Sequence, residues 1–394
     1  MDILLLGNGF DLSFGLPTRY TDFIKVVQCL IDNEQSIPTK VAEILKPLGL
    51  DYEYAKDVSL DVDAVRSMID LSKMNIWFDY FKNKINVENN TWIDFERELS
   101  YINRLLNILM NNDNDGVISF DINSKHRGLD QELLYVINNF YSHFFIKRQR
   151  NCGELLSFKF KDDFFVEYPP QSKNMVLNKN KVVSRLHDDL DRLSDCLRIY
   201  LISFVDNPIR NNPHLKGDCK IKYNRVDLAL TFNYTNTYEY IVGDEISTLH
   251  LHGNVNERIV LGYNPDADDY TVPAETTWLE FKKYYQRAFI DANQILIRFQ
   301  KIVKSRRESN ELFVMSFSLS SSDEDIIRLI FEHMSKITIY CHNDDAKKEY
   351  IHNLIQIYGK AEYDNLVYDK ELTFLTGHNQ LISYFNRTRA ADFL

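Results

Sequence analysis

The sequence is poor in the residues that staple or break chains. Its five cysteines, Cys29, Cys152, Cys196, Cys219 and Cys341, are odd in number, scattered and never spaced Cys-x-x-Cys. That pattern excludes a disulfide framework and gives no sign of a structural zinc site. Only 13 glycines and 9 prolines occur in 394 residues, which excludes collagen-like and low-complexity chains. Long apolar runs are missing too. The opening stretch MDILLLGNG holds an apolar run of four, too short for a signal-peptide core or a membrane span, so a cytoplasmic setting with no membrane partner is expected. Positive charge is in deficit, 46 Lys and Arg against 57 Asp and Glu, a net −11 that disfavours generic nucleic-acid binding. The exception is the segment 281–307, where Lys282, Lys283, Arg287, Arg298, Lys301, Lys304, Arg306 and Arg307 face Asp291 alone. Charge runs of this kind usually form a solvated helix face.

What is present is an apolar fraction of 44% with 23 Tyr and 25 Phe, ample for a large core. The run Ile3 to Leu6, bounded by glycine, has the character of a strand buried on both faces in a parallel sheet. Pro17 suits the first turn of the helix that follows. From about 35 to 222 the clearest segments have helical period. Trp92, Phe95, Leu99, Ile102, Leu106 and Leu109 form one apolar stripe, and Leu186, Leu190, Leu193, Leu197, Leu201 and Phe204 another. Beyond 225 strands and helices alternate, with strands expected near 226–231, 246–251, 258–261, 312–317 and 336–341 and helices near 277–305, 323–334 and 344–358. This pattern implies an α/β, Rossmann-like parallel sheet built from 1–34 and 223–394, with 35–222 as a large helical insertion.

Three segments could carry chemistry. In Gly7–Tyr20, GNGFDLSFGLPTRY, Gly7 and Gly9 let the backbone turn sharply after the strand and approach a ligand closely. The spacing is not that of the general dinucleotide fingerprint, and a purely structural glycine turn with Asp11 as a cap is the competing reading. In LALTFNYTNTYEY a strand ends in polar residues where open α/β sheets bind ligands, which places Asn233 to hold a ribose hydroxyl or a water. In STLHLHGNVN, His250 and His252 share a face if the strand is intact. A metal is not expected from one histidine pair. Asp94 and Glu96, two apart on a helix, do not form an obvious catalytic pair.

Gly7-Asn8-Gly9-Phe10-Asp11, Gly15-Leu16-Pro17-Thr18, Tyr20, Asp22-Phe23, Trp92-Ile93-Asp94-Phe95-Glu96, Thr231-Phe232-Asn233-Tyr234-Thr235 and His250-Leu251-His252-Gly253 closely resemble the AbiH family of bacterial abortive-infection proteins. The resemblance implies an anti-phage effector, with a phage-derived trigger as its further partner. More distantly, Gly7, Gly9, Gly15 and Pro17, then TFNYT, then His252-Gly253, then Ser318-Leu319 are similar to the ordered motifs of sirtuin-like domains. That similarity implies NAD as substrate or ligand, a nucleotide partner, and cleavage of the nicotinamide N-glycosidic bond. Residue by residue, it implies a pocket shaped by Gly7, Asn8, Gly9, Phe10, Asp11, Gly15, Pro17, Thr231, Thr235 and Ser318, with Asn233 and His252 catalytic. The chain departs from the sirtuin-like pattern at Asp11, where that pattern has serine, and at Thr235, where it has aspartate. Lacking Cys-x-x-Cys pairs, it also lacks the zinc ribbon of protein deacetylases. A nucleotide sensor without turnover is the alternative function, a nuclease a weaker one, and self-association is left open.

Overall fold

The computed structural model describes residues 1–50, 52–88, 94–111, 117–121, 128–148, 155–167, 174–211, 226–242, 246–264, 276–305 and 309–376. The strands among them are β1 (Asp2–Leu6), β2 (Val117–Asp121), β3 (Phe145–Arg148), β4 (Leu155–Phe160), β5 (Phe165–Glu167), β6 (Met175–Leu177), β7 (Leu228–Thr231), β8 (Ser247–His250), β9 (Glu311–Met315), β10 (Lys336–Cys341) and β11 (Thr373–Thr376). The chain divides into two compact units, one of Met1–Met68, Leu197–Val260 and Gln286–Leu394, the other of Ile69–Cys196 and Leu261–Tyr285.

The first unit is built on a six-stranded sheet ordered β11-β10-β9-β1-β7-β8, and every pairing is parallel. Numbered by their order in the chain, these strands run 3-2-1-4-5-6 across the sheet from β8, the Rossmann order. The apolar run Ile3–Leu6 is the reason β1 lies at the centre: all four residues are buried, so the strand needs cover on both faces. Leu6 pairs with Thr231 on one side and Met315 on the other, so the chain leaves β1, β7 and β9 at one level of the sheet. The order reverses between β1 and β9, and in open sheets of this kind the ligand crevice lies outside the carboxyl ends of the strands at that point. One sheet face is covered by the apolar stripes of helices Asn293–Ser305 and Glu324–Glu332, through Phe299, Val303, Ile326, Ile327, Ile330 and Phe331.

Three expected elements differ in detail. Segment 258–261 forms no strand; the Val260 N–H turns back to the His252 carbonyl at 2.9 Å, after a reversal at Gly253 with φ of +76°. The helix expected over 277–305 is broken into a 3₁₀ segment Thr276–Phe281 and helices Lys283–Phe289 and Asn293–Ser305, with Asp291 left-handed in the break. The helix expected to stop at 358 runs as Asp344–Asp369 with non-helical Gly359 inside it.

The second unit carries helix Phe95–Asn111, which buries the expected stripe from Phe95 to Leu109; Trp92 lies outside the described residues. Beside its helices the unit holds an antiparallel sheet β2-β4-β3 and the hairpin β5–β6. These strands are three to six residues long, and Phe158 and Phe160 alternate inward along β4 over too short a stretch to stand out from the surrounding helical period.

Candidate functional site

The turns after β1 and β9 lie against each other. Gly7 donates its N–H to the Met315 carbonyl at 3.4 Å and Gly9 to the Ser316 carbonyl at 3.2 Å. A Cβ on Gly7 would stand 2.6 Å from the Ser316 carbonyl oxygen and 2.7 Å from Phe317 Cα, so this close approach requires glycine. On the β9 side the backbone is strained: Ser316 and buried Leu319 have φ of 58° and 54°. Ser318 between them is exposed, and its carbonyl accepts from Asn353. Around the first turn, Asn8 Nδ2 donates to the Thr18 carbonyl, Tyr200 donates its hydroxyl to the Pro17 carbonyl at 2.6 Å, and Phe10 is buried against Phe14 and Tyr238. Gly15 takes the left-handed conformation with nothing close to its absent side chain.

Asn233, two residues past the end of β7, is held on three of its four polar groups. Its N–H donates to Thr231 Oγ1 at 3.0 Å, its carbonyl lies 2.9 Å from His250 Nδ1, and its Nδ2 donates to Asp11 Oδ1 at 3.1 Å. The fourth, Oδ1, is buried and has no hydrogen-bond partner among the described residues. Asp11 lies within the short helix Gly9–Ser13 and faces inward, its other oxygen accepting from Thr235 Oγ1 at 2.5 Å, while Thr237 donates to Thr235 Oγ1 at 3.1 Å.

Burial pushes the Asp11 carboxyl up to about 6; hydrogen bonds from Thr235, Thr237 and Asn233 oppose this and the charge of Glu239 adds to it. Asp206 closes a π-helical turn, Ile202–Asp206, and accepts from the Asn236 amide and side chain, the latter at 2.6 Å. Burial, with Asp11 and Glu239 nearby, pushes its carboxyl up to about 7 against the Asn236 bonds. His250 places Nε2 2.7 Å from Glu239 Oε1, and a carbonyl at the other nitrogen accepts only from N–H. Burial disfavours its protonated form, but Glu239 and the Asn233 carbonyl outweigh this and raise its pKa.

His252 has a different set of partners. Strand β8 ends at His250, so strand alternation does not extend to His252. Its ring packs edge-on against Phe232 at 4.9 Å, and its Nε2 lies 3.0 Å from Asp323 Oδ1, just before helix Glu324–Glu332. Phe232 stacks on Phe317 at 4.0 Å, so the ends of β7, β8 and β9 meet through three side chains. Asn233 follows Phe232 directly.

The sequence reading missed Asp206, Thr237, Glu239 and Asp323. Only Glu239 and Thr237 stood within a quoted motif; Asp206 and Asp323 join the site through long-range packing. The basic segment is partly consumed internally. Lys283 is buried and pairs with Glu96 at 2.6 Å in the second unit, while buried Arg287 pairs with Asp325 in the first. Among the described residues no group of three or more His, Cys, Asp or Glu is placed to hold a metal, and no helix is long and apolar enough to cross a membrane.

The fold and site define an α/β protein with Rossmann strand order and polar residues gathered at the carboxyl edge of its sheet. The family model described as Bacteriophage abortive infection AbiH matches residues 3–343, and the chain belongs to that family of anti-phage proteins. No curated protein and no solved structure matches the chain.

Proposed function

We propose that this AbiH protein is an effector that binds NAD, or a related nucleotide, at the carboxyl edge of its parallel sheet and hydrolyses the nicotinamide N-glycosidic bond when a phage-derived trigger is sensed. The observation that carries this reading is Asn233: a buried side-chain amide whose other polar groups are fixed by protein and whose Oδ1 is left to accept from a ribose hydroxyl or a water. Preorganised dipoles beside a sugar are what an oxocarbenium-like transition state needs, because they stabilise developing positive charge without reorganising.

In the reaction the C1′–N bond breaks with its electron pair passing to the nicotinamide nitrogen, which leaves neutral. The oxygen of water bonds to C1′ and its proton passes to a base, giving ADP-ribose, nicotinamide and a proton. His252 is the base in this scheme, its ring oriented by Asp323, which lies 3.0 Å from Nε2, because the unperturbed pKa of an imidazole is near neutrality. The two departures from the sirtuin-like pattern are complementary. Carboxylate and hydroxyl have exchanged places between positions 11 and 235, and the exchanged groups are hydrogen-bonded at 2.5 Å.

Purified protein given NAD with phage lysate is expected to release nicotinamide, and Asn233→Ala or His252→Ala to lower the rate at least about 100-fold, as for loss of a group acting in the transition state, with melting temperature and circular dichroism preserved. Unchanged release in both variants would refute the assignment. Saturable NAD binding without turnover would favour the sensor instead, a reading supported by Thr235 in place of the aspartate of the sirtuin-like pattern.

A further inference from the structure

We infer that Asp11 is a positioning residue that decides which end of the Asn233 amide the substrate meets, with Thr235 as its anchor. The inference rests on the proposed nucleotide-cleaving reading and gives Asp11 a role that does not require contact with the pyrophosphate.

The two ends of a side-chain amide differ only in being donor or acceptor, so their orientation is set by whatever one end touches. An ionised carboxylate only accepts. Asp11 Oδ1 therefore holds Nδ2 of Asn233, at 3.1 Å, and Oδ1 of the amide must point the other way. A flipped amide would bring two buried oxygens together. The carboxylate itself is fixed by the Thr235 hydroxyl on its second oxygen and, behind that, by Thr237. Its remaining neighbours are charged or chargeable: Glu239 raises its proton affinity, Asp11 in turn raises that of Asp206, and Glu239 is engaged with His250, which also grips the Asn233 carbonyl. Protonated Asp11 could donate to Oδ1 of a flipped Asn233 and would present the NH₂ end outward. The ligand chemistry that follows is specific: with Asp11 ionised the site takes a hydroxyl or water donor at Asn233, and with Asp11 protonated it does not.

The test combines kinetics with a readout that does not need turnover. For Asp11→Asn, whose side chain can satisfy either amide orientation, kcat for nicotinamide release is expected to fall about 10- to 100-fold with KM little changed, the range for residues that orient a reacting group. The acid limb of the wild-type pH–rate profile is expected to lose one proton of steepness in that variant. Thr235→Ala should move the limb to higher pH and Thr235→Ser should restore it. Independently, in protein labelled with ¹⁵N-asparagine, the Asn233 side-chain resonances should titrate with a midpoint near 6 in the wild type and not in Asp11→Asn. Release that keeps wild-type kcat and pH profile in Asp11→Asn overturns the inference, as does an Asn233 resonance that ignores pH. Wild-type protein that titrates as expected but releases no nicotinamide overturns the proposed cleavage while the positioning of Asn233 stands.

Discussion

Asp11 and Asp206 sit in surroundings that hold protons far more tightly than water does, and this shapes stability as well as chemistry. A carboxyl whose folded pKa is raised favours the folded state below its unfolded value near 3.8, and that contribution is lost as pH rises through the folded value, about 7 for Asp206. One pKa unit corresponds to about 1.4 kcal/mol, so the ionised Asp206 costs a few kcal/mol at pH 8. Asp206→Asn keeps an acceptor for Asn236 and removes the buried charge. It is expected to raise the melting temperature at pH 8, with the gain shrinking toward zero at pH 4. A loss of stability at pH 8, or a gain independent of pH, would contradict the burial argument. At this scale sequence gave partial access. Asn233 and His252 stood out as polar residues at strand ends, whereas Asp206 and Asp323 did not, because nothing in a linear motif shows that a π-helical turn or the start of a distant helix supplies a neighbour.

At the level of elements, the strand-end turns carry the geometry. Gly253 has φ of +76°, and a Cβ there would stand 2.1 Å from the Arg258 carbonyl oxygen, while Gly15, with φ of +73°, has open space around it. Gly253→Ala is therefore expected to destabilise the protein by about 3 kcal/mol or more, from a left-handed penalty plus a backbone clash, and Gly15→Ala by only about 1 kcal/mol. Chemical denaturation of both variants checks the ranking; equal losses would show that the turn at 253 relaxes freely. The same region bears on the histidine pair: alternation holds within a strand, β8 ends at His250 and the chain reverses at Gly253, and His250 and His252 have separate partners. The central strand was legible because four consecutive buried residues admit few alternatives. Edge strand β11 and the short strands of the second unit were not, since three to six residues give too little period to read.

For the molecule as a whole, the 3-2-1-4-5-6 order places the Gly7 turn, the Asn233 loop and the Ser316–Leu319 turn at one edge of one sheet, although they lie some two hundred and three hundred residues apart in the chain. A ligand bound there contacts only the folded state. NAD at a hundredfold excess over its Kd should therefore stabilise the protein by about 2.7 kcal/mol, with an upward shift in melting temperature that grows with concentration. No shift at millimolar NAD would count against nucleotide binding at this edge. The net charge of −11 fits a small ligand held by backbone and local dipoles better than a polyanion gripped by surface charge. The most direct test of the central claim is the time course of nicotinamide formation from NAD by the purified wild-type protein, with and without phage lysate. The account predicts stoichiometric nicotinamide and ADP-ribose once the lysate is present; NAD that remains intact through many hours of incubation with active lysate would contradict it.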